Sequence, residues 1–332
     1  MKTYQEFKEA VEEQFVNYMA EVNAEYKDYR IIMETTKKVN ETLDGFSVVP
    51  KNDSSCVSPR FYVQNVYNLY REHINNGFLE EEAFVIVMRT YSEKMICEMR
   101  KTGSIICDVE NILKDKDLFE NNLILQVIGK VNNQELLKEV PNRIVYDDLA
   151  VIYRVRISLD NEDSGTFIVT NKVLENYGVC MSEQELFDIA LKNTLEFNPI
   201  IEGDMQDVLR SMGMPEEVIK EYEGAEPAMY IVRAAQECYG AYAVLCPENF
   251  ESIAEKVGGD LFIIPSSIHE VICIRYDEEQ VESTLNMVRE VNTTQLLPEE
   301  ILSYSLYRYK KDEKAIERIK TRLDVFKNEM VI

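Results

Sequence analysis

The sequence predicts an α+β protein, with mixed, mainly antiparallel sheets packed against helices in two or three associated subdomains. Three observations point there. Apolar residues recur at helical spacing behind capping boxes, as in Thr3 with Glu6 and Ser182 with Glu185. Runs rich in β-branched residues, too short for helices, come in pairs separated by turn residues. Strands and helices do not alternate regularly, so a parallel βαβ sheet is not indicated.

The elements follow in order. Phe7, Val11, Phe15, Tyr18, Met19 and Val22 share one face of a first helix. Residues 29–35 and 45–50 predict a hairpin that turns around Leu43-Asp44-Gly45. Val63, Val66, Tyr67, Tyr70 and Ile74 give a second helix, stopped near Asn75-Asn76-Gly77. A third helix from about 79 to 101 carries Ala83, Val87, Tyr91, Met95 and Met99 and closes an α-β-β-α-α block at 1–103.

The central α+β block, 104–223, opens with a mixed helical stretch and the apolar run Leu123-Ile124-Leu125-Gln126-Val127-Ile128. The β-branched run 149–157, a turn at 160–165 and a return at 166–170 predict two paired strands. The second capping box then opens a helix holding Leu186, Ile189, Ala190 and Leu195. Isolated Gly203 and Gly213 read as helix punctuation.

The C-terminal block, 224–332, starts at Gly224-Ala225-Glu226-Pro227. Residues 229–232 and 241–245 read as neighbouring strands, and Pro247 starts a helix ended by Gly258-Gly259. Strands at 261–264 and 270–274 flank the loop Pro265-Ser266-Ser267-Ile268-His269. Helices from about 278 to 291 and from 298 onward are expected to close the chain, the last with Leu302, Leu306 and Tyr309 on one face beside Tyr304 and Tyr307.

Charge narrows the functional classes. A formal charge of −24 repels phosphate backbones, so nucleic acid is not an expected partner. The densest basic stretch, 308–322, interleaves Arg308, Lys310, Lys311, Lys314, Arg318 and Lys320 with Asp312, Glu313 and Glu317, which reads as a solvated helix with ion pairs. Such acidity suits a protein partner with a basic face, or in its sharpest form a DNA mimic.

Seven widely spaced cysteines, Cys56, Cys97, Cys107, Cys180, Cys238, Cys246 and Cys273, include no CxxC. They read as buried free thiols in a reducing compartment. The N-terminus has no apolar signal core and no stretch of 18 apolar residues occurs, so the expectation is a cytoplasmic protein without a membrane span.

Four stretches bring a family into view. They are Lys38-Val39-Asn40 with Ser58-Pro59 and the Tyr67-to-Tyr70 helix; Leu136-Leu137 through Val140-Pro141 to Asp148-Leu149-Ala150-Val151; Ile263-Ile264-Pro265-Ser266-Ser267-Ile268-His269-Glu270-Val271-Ile272; and Met287-Val288-Arg289-Glu290-Val291-Asn292 with Pro298-Glu299-Glu300-Ile301-Leu302-Ser303. In these the chain resembles an uncharacterised family of acidic bacterial proteins of about this length, catalogued only as a domain of unknown function. The Pro-Ser-Ser-Ile-His-Glu motif is the most specific part. The resemblance implies no particular activity, cofactor or partner. One departure stands out: Arg233-Ala234 follows the Met229-Tyr230-Ile231-Val232 strand where the family has threonine and asparagine.

The loop around Ser266, Ser267 and His269 is the best candidate site. Its catalytic reading is a serine nucleophile activated by His269, with Glu270 or Asp277 orienting the ring. Along a strand His269 and Glu270 point to opposite faces, and no nucleophile elbow is present. The alternative is a tight turn whose hydroxyls satisfy backbone groups, and such turns are far commoner than active sites.

His73, the only other histidine, has no metal-ligand spacing around it, and carboxylates at Asp147-Asp148 or Asp160 to Asp163 read as acidic turns sooner than as a magnesium site. Gly258-Gly259 caps a helix instead of opening one toward a phosphate. Tyr62, Tyr67 and Tyr70 at helical spacing read as core before recognition surface. No cofactor and no metal is expected. The resulting expectation is a binding or protein-interaction protein without enzymatic activity, with a hydrolase at Ser266, Ser267 and His269 as its rival.

Overall fold

The computed structural model describes residues 1–52, 58–158, 164–211, 213–220, 229–236 and 238–319. The chain forms two compact units, one of Met1–Asp115 with Ile157–Asp163, the other of Lys116–Arg156 with Ser164–Ile332. The fold is α+β with mainly antiparallel sheets, as the sequence predicts.

In the first unit, α1 (Tyr4–Val22) begins at Thr3, whose hydroxyl accepts from the Glu6 N–H while the Glu6 carboxylate accepts from the Thr3 N–H. Strands β1 (Tyr29–Lys38) and β2 (Glu41–Pro50) pair antiparallel over ten residues, and β3 (Phe61–Tyr62) adds to β2. The hairpin turn lies at Asn40, in the left-handed region at φ 61°, and not around Leu43-Asp44-Gly45. Gly45 is instead inside β2, where a Cβ would meet the Arg60 side chain at 2.7 Å. Asparagine tolerates positive φ, and the strands run three and four residues further toward the turn than expected.

Helices α2 (Val63–Asn75) and α3 (Glu80–Lys114) complete the unit. The third helix runs through Gly103 without a break, so the expected block end at 103 falls inside an element. Phe7, Val11, Phe15 and Met19 pack with Phe46, Val66, Tyr70 and Val87, all fully buried. Each such aromatic or aliphatic side chain contributes about 1.5–3 kcal/mol by leaving water. Tyr67 and Tyr70 belong to this core, whereas Tyr62 lies half-buried under the Lys38 ammonium.

The second unit opens with α4 (Lys116–Asn122) and β4 (Leu123–Gly129), which is buried throughout. After α5 (Gln134–Leu137), β5 (Asn142–Val145) and β6 (Leu149–Ser158) form a sheet in the order β4-β6-β5, and β7 (Ser164–Ile168) pairs with β6. Helices α6 (Asn171–Tyr177) and α7 (Glu183–Phe197) follow, the second capped by Ser182 and Glu185.

A six-stranded antiparallel sheet then assembles from β8 (Ile200–Asp204), β9 (Tyr230–Ala234), β10 (Leu261–Ile264), β11 (Glu270–Arg275), β12 (Tyr307–Lys310) and β13 (Ala315–Arg318), in the order β13-β12-β10-β11-β9-β8. Its short helices are α8 (Met205–Ser211), α9 (Glu216–Lys220), α10 (Glu251–Val257) and α11 (Val281–Thr294). Because β8 pairs with β9, one sheet joins the stretches expected to form central and C-terminal blocks. The turn expected at 224–227 and most of the one at 160–165 lie outside the described residues.

Three local expectations are corrected. Gly203 sits in β8 and is not helix punctuation. Residues 241–245 lie in a 3-10 helix, Gly240–Leu245, and not a strand. The segment opens at buried Gly240, where a Cβ would meet the His269 carbonyl at 2.3 Å and the Ala234 nitrogen at 2.4 Å, a backbone approach that only glycine permits. The basic stretch after 306 is the hairpin β12–β13, and not a helix with two aromatic faces. Tyr307 and Tyr309 point into the core while Arg308 and Lys310 point away, the period-two pattern of a half-buried strand.

Candidate functional site

The Ser266–His269 loop is a closed hydrogen-bonded turn between β10 and β11. The His269 N–H donates to Ser267 Oγ at 3.0 Å, and the Ser267 N–H donates to the Glu270 carbonyl at 3.3 Å. Ser266 Oγ donates to the Glu270 carboxylate at 3.3 Å. His269 Nδ1 accepts from the Tyr239 N–H at 3.2 Å, which assigns its proton to Nε2 when the ring is neutral. The loop thus brings all three candidate residues together in sequence, yet no serine hydroxyl bonds the imidazole among the described contacts.

That imidazole leads to a second place. The His269 ring stacks on Tyr239 with centroids 6.0 Å apart and planes 14° apart, and Tyr239 is held in the left-handed region at φ 56°. A bulky residue at positive φ is strained and persists only where its surroundings over-determine it. On Tyr239 also lies the Arg154 guanidinium, 5.3 Å from the ring centroid.

Arg154 and Arg156 come from β6, two residues apart and therefore on one face of the strand. Together with β4, β7, the end of α7 and the turn after β9, they line a cavity of about 500 Å³. Thr166, Phe197, Asn198 and Cys238 also line it. The wall is braced by hydrogen bonds. The Asn198 side chain, 6% exposed, accepts from the Gln236 N–H at 2.7 Å and donates to the Cys238 carbonyl at 3.1 Å. Buried Tyr242 donates its hydroxyl to the Asn198 carbonyl.

The two arginines are held differently. Arg154 donates from Nε to Thr166 Oγ1 at 2.8 Å, from Nη1 to Gln126 Oε1 at 3.2 Å and from Nη2 to the Thr166 carbonyl at 3.3 Å. All three acceptors are neutral. Arg156 rests its guanidinium on the Phe197 ring at 3.7 Å, and its buried Nε has no hydrogen-bond partner. Among the described residues neither guanidinium forms an ion pair with a carboxylate, in contrast to Arg143, bound to Glu183 at 2.7 Å. Burial lowers the pKa of both cavity arginines. Burial likewise pushes the Cys238 thiol up, with Arg154 pulling the other way.

Other sequence candidates are engaged elsewhere. Asp148 accepts from the Tyr307 hydroxyl at 2.7 Å and the Ser303 hydroxyl at 2.8 Å. Asp160 to Asp163 lie outside the described residues. His73 Nδ1 contacts the Leu69 carbonyl at 2.9 Å, and the ring packs on Phe78. Among the described residues no three His, Cys, Asp or Glu side chains gather as a metal site. Of the described cysteines, Cys246 and Cys273 are buried as expected, but Cys97, Cys180 and Cys238 are exposed. Cys97 illustrates why: it lies on α3 one position past buried Met95 and Ile96, where the helix face turns outward. Cys56 and Cys107 are not among the described side chains.

Sequence reasoning did not single out Arg154 and Arg156. The signal was there, because Tyr153-Arg154-Val155-Arg156 places two cations on one side of a strand whose other side is apolar.

No curated protein and no solved structure matches the chain. A family model does match, over residues 4–311, and by that extent the chain belongs to the family of unknown function DUF5688.

Proposed function

We propose that this chain is a binding protein, without enzymatic activity, whose small-molecule ligand enters the cavity between β6, β7 and the turn after β9. The observation that carries the reading is the preformed wall: Asn198, Gln236 and Tyr242 fix each other around a space of about 500 Å³. That size and mixture of polar and aromatic groups suit a small organic molecule. Binding is preferred to hydrolysis because Ser266, Ser267 and the His269 Nδ1 are each committed to local bonds. In this reading His269 is a buttress behind Tyr239. The described cysteines are free thiols, which suits the cytoplasm as the compartment.

Cys238 supplies the test. It lines the cavity, whereas Cys97 and Cys180 are exposed elsewhere and serve as internal controls. Iodoacetamide labelling, read peptide by peptide, is run against a chemically unbiased set of small molecules. The expected result is a subset that slows labelling of Cys238 and leaves Cys97 and Cys180 unchanged. A set in which nothing slows Cys238 selectively argues against the reading.

One observation favours a protein partner as a second reading. Exposed Phe78 with Val85 and Ile86 forms an open apolar depression rimmed by Glu81 and Glu82 in the first unit, complementary to a basic, apolar face. A partner captured at low salt by the wild type but equally by Phe78→Ser would speak against this surface.

A further inference from the structure

We infer that the ligand of this cavity is a small organic anion, whose carboxylate or phosphate group lies against Arg154 and Arg156. The inference rests on the proposed reading of the cavity as a binding site and adds the chemistry of what it binds.

Both guanidinium groups hold donors that no described residue meets. A guanidinium carries five N–H donors. Arg154 gives three to Thr166 and Gln126, which leaves one N–H on each terminal nitrogen. Arg156 gives none to a described residue; its Nε is shut away from solvent, and its terminal nitrogens are the donors it can present to the cavity. A buried donor left unpaired is destabilising, and more so when charged. A chain with 60 acidic residues has ample carboxylates to neutralise these cations, yet among the described residues none does. Cations kept uncompensated beside a cavity are matched to an incoming oxyanion, which forms bidentate bonds with the planar fork.

The neighbours fit the same ligand. Tyr239 and Phe197 each carry one guanidinium on a ring face, which fixes the orientation of the donors before any ligand arrives. Thr166 anchors Arg154 through both its hydroxyl and its carbonyl. The cavity exceeds what a bare ion fills, so the anion should carry an organic body.

The test uses the full chain and the Cys238 labelling readout, with benzoate, hexanoate and phenyl phosphate as anionic probes, benzamide and hexanamide as neutral matches, and inorganic phosphate as the bare ion. At least one organic anion is expected to protect Cys238 at a concentration where its neutral match and inorganic phosphate do not. Arg156→Gln is expected to weaken that protection at least tenfold. Arg210→Gln, which removes the same charge from a surface arginine paired with Asp207, should leave it unchanged. Protection by the amides equal to that by the acids, or unaltered protection in Arg156→Gln, overturns the anion while leaving the cavity as a binding site. If no probe and no member of the unbiased set protects Cys238, the cavity reading itself falls.

Discussion

Arg154 and Arg156 are two residues apart on one strand, and their opposite surroundings predict opposite mutational signs. Arg154→Gln strips hydrogen bonds from Thr166 and from Gln126, itself 1% exposed, and should destabilise the protein by about 2 kcal/mol. Arg156→Leu removes a cation with a buried, unpartnered nitrogen and keeps an apolar contact with Phe197. That change should stabilise by about 1 kcal/mol, because the lost stacking is worth less than the relieved desolvation. Equilibrium urea unfolding of the two variants measures both. At this scale the sequence was only partly legible. The loop of Ser266, Ser267 and His269 stood out because its residue types resemble a nucleophile and base. What those residues contact was not visible, since Tyr239, which occupies the His269 ring, is 30 residues away. The arginines were missed because a charged pair inside a β-branched run reads as a solvated strand face until the cover is known.

Elements were legible where one short-range pattern decided them. The capping boxes of α1 and α7 and the β-branched run of β6 needed nothing from elsewhere in the chain. The hairpin β12–β13 was misread because its charges also satisfy helical i,i+4 spacing, and strands of four residues are too short for periodicity to arbitrate. The segment Gly240–Leu245 was misread because an apolar run looks the same in a buried strand and a buried 3-10 turn. Gly240→Ala tests the close backbone approach at its start: the new methyl would overlap backbone atoms of His269 and Ala234, and a loss of at least about 3 kcal/mol or failure to fold is expected. Asp44 in β2 ties the hairpin to α1, accepting from the Lys8 ammonium at 2.8 Å and the Tyr4 hydroxyl at 2.9 Å. The Lys8 bond, against the cost of burial and with help from Tyr4, lowers its pKa below the usual 3.8. The stabilisation is therefore full above the unfolded pKa and lost as pH falls through the folded value. Asp44→Asn should cost about 1 kcal/mol at pH 7, and the difference from wild type should disappear once the pH has fallen below the lowered folded-state pKa. A pH series of unfolding midpoints checks this.

Over the whole molecule, a charge of −24 opposes compaction by self-repulsion. Thermal stability should rise between low salt and about 0.3 M sodium chloride, as the Debye length shrinks below the spacing of surface carboxylates. A midpoint that falls with salt would mean that the surface ion pairs outweigh the net charge. Against this background the cavity arginines are an island of opposite sign, and the central claim is that an organic anion completes them. The most direct measurement is the Nε–H resonance of Arg156, assigned with Arg156→Gln and followed in heteronuclear NMR during titration with phenyl phosphate and benzoate. If the account holds, an anion that protects Cys238 shifts this resonance, because an oxyanion bound to the terminal nitrogens of Arg156 perturbs the Nε–H of the same guanidinium. A resonance that stays in place while Cys238 becomes protected would contradict it, since the ligand would then sit in the cavity without touching the cation that the cavity presents.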